Sequence, residues 1–398
     1  MLDLFHDAAT RFAELAWGPW LLVLLLGGGT FFLLYSRLVP LRYLPHAWDL
    51  LRGRYDEQLA PGDVTHFQAL SSALAGTIGM GNIGGVALAI AVGGPGAVFW
   101  MWISAIVGVA TKFFTCTLAV LYRGPDSRGH LQGGPMYVIR EGLGRRWLPL
   151  AYLFSVAGLI GCLPAFGAIQ LVQVLREVVF VPAGLLAEGQ DGFVFNLGAG
   201  IVLAVLTALV VFGGLQRLAA VSSRLVPFMT LLYCGGAAGG LLLNLERVPG
   251  ALALIVQDAF TGTAAAGGAL GCVILYGVQR GTFSNEAGIG TEALAHGAAR
   301  TREPVREGLV AMLGPIIDTL VICTATALMI LLSGTWQTSG ASGVTLTAAA
   351  FGEVLGPAGH LIIVVSVVCF GVTTLFTYSY YGTKCFGFLF GAERQDWY

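Results

Sequence analysis

Nine apolar runs, near 19–39, 67–93, 95–122, 148–180, 194–213, 222–244, 263–298, 307–333 and 359–381, limit what this chain can fold into. About 20 consecutive apolar residues cross the hydrocarbon core of a bilayer as a helix, and in lipid each backbone polar group must be satisfied within the protein. Charged residues make up 11% of the 398 and hydrophobic ones 56%, whereas a water-soluble domain carries roughly 25% charge. A soluble fold of this length could not cover its surface with so few charges. The reading is an all-α polytopic membrane protein, a single transmembrane domain over 1–398. Its first run lacks a basic leader and exceeds a signal-peptide core, so it reads as a retained helix.

The basic residues orient the crossings. With the N-terminus outside, the loops 37–66, 123–147, 214–226 and 299–306 and the tail after 383 face the cytoplasm. They hold 16 of the 21 Lys and Arg residues. That bias is the positive-inside pattern, and it predicts a multi-pass protein of the plasma (inner) membrane with a cytoplasmic tail. The polar stretches Gln132–Gly144 and Val248–Thr261 are expected at the cytoplasmic and outer interfaces.

A net charge of −1 makes no case for nucleic acid. The seven cysteines lie almost all inside apolar runs without CxxC or Cys/His spacing, and read as packing residues. No Walker lysine loop, HExxH or GxSxG occurs, and the six histidines fall in loops or at span ends. These absences argue against an ATP-driven pump or an intramembrane enzyme, and imply no cofactor.

Two runs are interrupted. The second contains Thr77-Ile78-Gly79-Met80-Gly81-Asn82-Ile83-Gly84-Gly85. Glycine and asparagine at that density unwind a helix, and an unwound turn presents amides and carbonyls to an ion or a carboxylate. Gly81 and Gly85 equally form a GxxxG packing pair, so both readings stay open at this stage. The seventh run, too long for one crossing, carries Gly277-Val278-Gln279-Arg280-Gly281-Thr282-Phe283-Ser284-Asn285-Glu286-Ala287-Gly288-Ile289-Gly290, and a break is expected within 276–285. Paired interruptions five spans apart are the pattern of an inverted repeat whose broken helices meet at a central site. The repeats would be 67–244 and 263–381, the second incomplete, preceded by the extra helix 19–39.

The segments GMGNIGGVALAI, GGPMYVI, RGTFSNEAGIGTEALAHGAA, MLGPIIDTLVICTATALMILLSG and TTLFTYSYYG, in order between about 65 and 391, resemble the alanine/glycine:cation symporter family. The resemblance implies a fold similar to the neurotransmitter–sodium symporters and inward transport of alanine or glycine with sodium. It also implies two further helices after the YYG segment. The family often has Trp in the position of Tyr378 and an Asn near Gln170, and this chain departs at both.

The resemblance places the substrate carboxylate on the amides of Met80 and Gly81. It gives Phe166, Gln173, Gly277, Thr374 and Tyr378 as further lining. Interhelical amide bonds are ~1 kcal/mol features, so Gln173 also reads as helix–helix glue. Sodium is implied at Thr373 and Thr374, with the carbonyls of Ala75 and Ile78, and a second ion at Asn82. Hydroxyls in such a helix also bond back to the preceding turn. Asp318 lies near mid-span, where a charge requires a partner, and Lys112, Arg280 and Glu286 are the candidates. The expected ligands are a small neutral amino acid and sodium, in a lipid bilayer. Proton coupling is the alternative, and a channel a weaker one for want of a symmetric pore helix.

Overall fold

The computed structural model describes Asp7, residues 10–12, 15–186, 192–262, 270–338 and 340–398, with Phe166 described by its backbone alone. The beginning of the 263–298 run therefore lies outside the described residues. What is described is helical almost throughout, with one small ribbon, β1 (Gly124–Pro125) antiparallel to β2 (Leu131–Gln132).

The extra helix α1 (Pro19–Tyr35) lies along α4 (Ala97–Leu121). A Cβ on Gly29 would meet Thr111 Oγ1 at 2.8 Å, so a glycine permits that approach. Helix α2 (His66–Thr77) begins in a reciprocal cap. Gln68 N donates to Thr65 Oγ1 at 3.2 Å, and Thr65 N donates to Gln68 Oε1 at 3.0 Å. Such a box satisfies amides that a helix start otherwise leaves open.

The interruption expected near 79–85 is present. Helix α2 ends as Ile78 turns to ψ 92°, and α3 (Gly81–Gly93) resumes at 53° to it. Residues Gly81–Gly85 are not unwound but form a wide π-helical turn.

The second interruption lies elsewhere than expected. Helix α10 (Leu270–Asn285) runs unbroken through 276–285. The chain departs from helix just after it, with positive φ at Glu286, Gly288 and Gly290, before α11 (Ala293–His296). Gly277 and Gly281 do not loosen the helix because α4 packs against them. A Cβ on Gly277 would meet Trp100 Cβ at 2.6 Å, and one on Gly281 would meet Met101 Cα at 3.0 Å.

Among the described residues five helices are long and apolar enough to cross a membrane: α4, α7 (Phe193–Val211), α8 (Gly214–Leu243), α12 (Pro304–Ser333) and α14 (Pro357–Phe390). The bent pair α2–α3 makes six. The other apolar runs are built from shorter pieces: α1; α5 (Leu148–Gly161) with α6 (Pro164–Leu175); and α10 with α11. Two further helices are α9 (Val248–Thr261) and α13 (Gly343–Leu355). Asp258 of α9 accepts the Gly96 amide at 2.9 Å, capping the start of α4.

Two long helices organise the packing. α4 contacts α1, α10 and α12, while α14 contacts α2, α5, α6, α8 and α13. The main core cluster joins Leu70, Met229, Tyr233, Ile322 and Phe370 from α2, α8, α12 and α14. Its one buried hydroxyl of note, Tyr233, is satisfied by Thr326 Oγ1 at 2.6 Å.

Candidate functional site

The break in α2–α3 is closed by a side chain. Asn82 Oδ1 accepts the Gly79 amide at 2.8 Å, spanning the gap. Its Nδ2 donates to Asp318 Oδ1 at 2.6 Å and to the Asp318 carbonyl at 3.3 Å. Asp318 itself lies in a second π-helical turn, Ile316–Cys323, within α12. Turns of this kind widen a helix locally and recur at functional sites. Asp318 Oδ2 accepts from Ser284 Oγ and Thr319 Oγ1, both at 2.8 Å, and Asn285 Nδ2 donates to Thr319 Oγ1 at 3.1 Å. Asn82, Asn285, Asp318 and Thr319 are fully buried. One carboxylate thus ties α3, α10 and α12 together.

The partners expected for Asp318 were Lys112, Arg280 and Glu286. Of these, Lys112 acts on it through charge without a direct contact; its hydrogen bonds come from neutral donors, and among the described residues no ion pair reaches it. The reason is geometric. Two broken or widened helices bring short amide and hydroxyl side chains within 3 Å, closer than any long cationic side chain needs to come.

Helix α14 supplies the opposite wall. A Cβ on Gly79 would meet Thr374 Oγ1 at 2.6 Å, so the hydroxyl sits directly on the break. The Thr374 hydroxyl donates to the Phe370 carbonyl at 2.9 Å, and the Thr373 hydroxyl to the Cys369 and Phe370 carbonyls at 2.9 and 3.1 Å. Both bond back to the preceding turn, which occupies each proton and leaves oxygen lone pairs. One turn on, a Cβ on Gly76 would meet Thr377 Cγ2 at 3.0 Å and Tyr378 Cε1 at 3.5 Å.

Tyr378 OH donates to Glu286 Oε1 and Thr291 Oγ1 to Glu286 Oε2, both at 2.7 Å. Glu286 has φ 56°, a left-handed conformation that costs a residue with a side chain about 1–3 kcal/mol. The two hydrogen bonds offset that strain.

Met80, Gly81, Asn82, Thr374 and Tyr378 therefore gather around the break, with Ala75 and Ile78 buried behind it. Across from Gly81 lies Ser284, whose Cα a Cβ there would meet at 3.7 Å. Two expected residues stand apart. Gly277 is consumed by packing on α4. Gln173 is exposed, donates to Glu177 Oε1 at 2.9 Å, and lines a cavity of about 670 Å³ with Arg176 and Asn196. The side chain of Phe166 lies outside the described residues. Sequence reasoning missed the roles of Ser284, Asn285 and Thr319. Their signal was three short polar residues in otherwise apolar helices, without anything local to say where they point.

A larger cavity, about 1070 Å³, opens among α6, α7 and α14 on the side of the basic loops. It is lined by residues including Asp63, Asp126, Ala168, Leu375, Ser379 and Lys384.

The family model described as the sodium:alanine symporter family matches residues 2–397. Sodium/alanine symporter AgcS of Methanococcus maripaludis is 40% identical over 381 residues, which are 95% of this chain and 82% of the relative. Probable sodium/glutamine symporter GlnT of Bacillus subtilis is 38% identical over 94% of this chain and 76% of its own. Among solved structures, MhsT in complex with L-phenylalanine aligns with a TM-score of 0.59 at 15% identity, covering 84% of this chain and 76% of that one. The fold is thus shared with a transporter of the neurotransmitter–sodium symporter type. A broken helix bridged by Asn82, in an apolar helical chain that matches one family from end to end, leaves a single assignment: this protein is a transporter belonging to the sodium:alanine symporter family.

Proposed function

We propose that the chain carries a small neutral amino acid inward together with sodium, across a plasma membrane in which its N-terminus faces outside. The observation that carries the reading is the break at Ile78–Met80, flanked by the Thr374 hydroxyl on one side and the Asn82–Asp318 pair on the other. A zwitterion needs amide donors for its carboxylate and acceptors for its ammonium. The amides at Met80 and Gly81 meet the first need, and Tyr378 with Thr374 bounds the space beside them. Thr374, Thr377 and Tyr378 pack directly over Gly76 and Gly79 and leave little room for a long substrate side chain, which favours alanine and glycine. The relative described as a glutamine symporter makes the side-chain limit the property to test.

Sodium takes a shell of hard oxygens. Thr373, Thr374 and the carbonyls of Ala75 and Ile78 form one such set, and Ile78, with ψ 92°, turns its carbonyl off the helical track. Asn82 beside Asp318 forms a second, in which the carboxylate balances the ion's charge. Coupling follows if both ions and the solute stabilise the same arrangement of the broken helix. The segments α2–α8 and α10–α14 correspond in this reading to the two repeats.

A proton at Asp318 in place of the second sodium is the alternative, favoured by a buried carboxylate that contacts neutral donors only. Uptake of labelled alanine into proteoliposomes tests both. A sodium gradient at clamped pH should drive accumulation, with glycine competing and glutamine competing poorly. Accumulation driven by a pH gradient without sodium would replace the sodium reading, and non-saturable flux would exclude both.

A further inference from the structure

The end of the bundle that carries the basic loops holds a buried cluster the transport reading does not use. Glu307, in the first turn of α12, is fully buried, and each carboxylate oxygen faces a histidine. Oε2 meets Nδ1 of His66, the first residue of α2. Oε1 meets Nδ1 of His296, the last residue of α11, at 2.5 Å. Both rings are buried, and neither Nε2 has a partner. Among the described residues no group of three or more His, Cys, Asp or Glu side chains, this trio included, is arranged to hold a metal ion.

The surrounding backbone is laced together. Asp63 N donates to the Ala298 carbonyl at 2.8 Å, Arg300 N donates to the Val64 carbonyl at 2.6 Å, and Val64 and Ala299 pair as a parallel bridge. Arg123 spans both strands, donating to the carbonyls of Pro61 at 3.1 Å, Gly297 at 2.5 Å and Ala299. Burial draws its guanidinium below the usual arginine range, and nearby Glu307 and Asp63 partly restore it. The chain entering the first broken helix is thereby fastened to the chain leaving the second.

We propose that His66, Glu307 and His296 form a proton-binding site whose proton holds this end of the transporter shut. A buried carboxylate between two neutral imidazoles is a charge out of water, costing several kcal/mol unless compensated. One proton on the His66 ring makes a carboxylate–imidazolium pair while both Nδ1–H groups still donate to Glu307. When the segments part, water reaches all three groups and the need for that proton falls. The closed form therefore binds the proton more tightly than the open form. By linkage its contribution to closure is full at low pH and is lost as pH rises through the closed-state value. Other charged and titratable groups face the cluster: Asp56 and Arg306 near His66, Arg123 near Glu307, and Cys116 with Lys112 and Glu292 behind it. Arg306 is already bound to Glu57 and Glu303, and Arg123 to carbonyls, so among the described residues no Lys or Arg is hydrogen-bonded to Glu307.

The proposal rests on the transport reading, so its test has two readouts. The first is alanine exchange by the full chain in proteoliposomes at saturating sodium, with pH on the basic-loop side varied from about 6 to about 9. The second needs no substrate: maleimide alkylation of Cys116, fully buried behind the cluster, after the other six cysteines are replaced. Exchange and alkylation should both rise with pH in the parent. In Glu307→Gln, and in the double variant His66→Asn with His296→Asn, the parent-to-variant ratio should change roughly tenfold across the range. Taking that ratio at each pH cancels the ionisation of the thiol itself. Asparagine keeps an N–H near each Nδ1 but does not titrate, so a purely structural role predicts a parent-like profile. Such a profile in either variant overturns the proposal. Absent exchange with a histidine-dependent alkylation profile would reject the transport reading and keep the proton site.

Discussion

Tyr378 and Glu286 are joined by a 2.7 Å hydrogen bond that links the helix beside the first break to the first residue of the second. Glu286 sits at φ 56° and is almost wholly buried, so the bond holds a strained residue at the point where α10 ends. Whatever moves Tyr378 against Gly76 therefore also pulls on the segment that leads to α11. The two breaks are mechanically connected through one phenol.

Tyr378→Phe should leave Glu286 Oε1 without its donor, at a cost of about 1–3 kcal/mol. Thermal unfolding of the purified protein should shift down by several degrees. A double-mutant cycle with Glu286→Gln should show coupling above about 0.5 kcal/mol. Additive effects would mean the two residues do not interact in the folded protein.

Asp318→Asn retains shape but sets an NH2 either where Ser284 and Thr319 both donate or where Asn82 Nδ2 donates, so at least one donor loses its acceptor. Under the sodium reading, half-maximal uptake should need at least about tenfold more sodium, since a missing ligand charge weakens the site by about 1.4 kcal/mol or more. Under the proton alternative, sodium dependence stays put and the pH dependence of uptake disappears. Measuring both titrations on the same preparation separates them.

Gly79→Ala should abolish uptake, because the new Cβ would lie 2.6 Å from Thr374 Oγ1. Thr374→Val keeps the volume and removes the oxygen, and should raise the sodium concentration for half-maximal uptake while the protein remains folded. A Thr374→Val protein with unchanged sodium dependence and normal uptake would place the ion elsewhere. Combining Gly79→Ala with Thr374→Ala relieves the contact, so folding should recover while sodium affinity does not.

Arg123→Lys should weaken the fastening between 61–64 and 297–299. A planar guanidinium reaches three carbonyls at fixed angles, which an ammonium on a flexible stem cannot reproduce. Cys116 alkylation at neutral pH should accelerate several-fold with little change in melting temperature. An unchanged rate would show that these segments stay joined without the arginine.

The sequence by itself determined that this chain suits a bilayer and is helical, and it marked 79–85 as the place where its second apolar run could break. Those are local matters: apolar length, scarcity of charge, and four glycines with an asparagine between Gly79 and Gly85. The motif blocks also pointed to the family that the whole-chain match bears out. Tertiary structure decided what local composition cannot. Gly277 and Gly281 look like helix breakers, yet α10 runs unbroken past them because α4 presses where their side chains would be. The break moves to Glu286, a residue with a side chain, because Tyr378 and Thr291 stabilise its left-handed turn from outside. Asp318 takes its hydrogen bonds from neutral groups, Asn82 from 236 residues away among them, and Gln173 turns from the break toward Glu177. Helical propensity and hydropathy are properties of a segment and can be read along it. The direction in which a single amide, hydroxyl or carboxylate points is set by which helices pack around it, and only the assembled bundle contains that information.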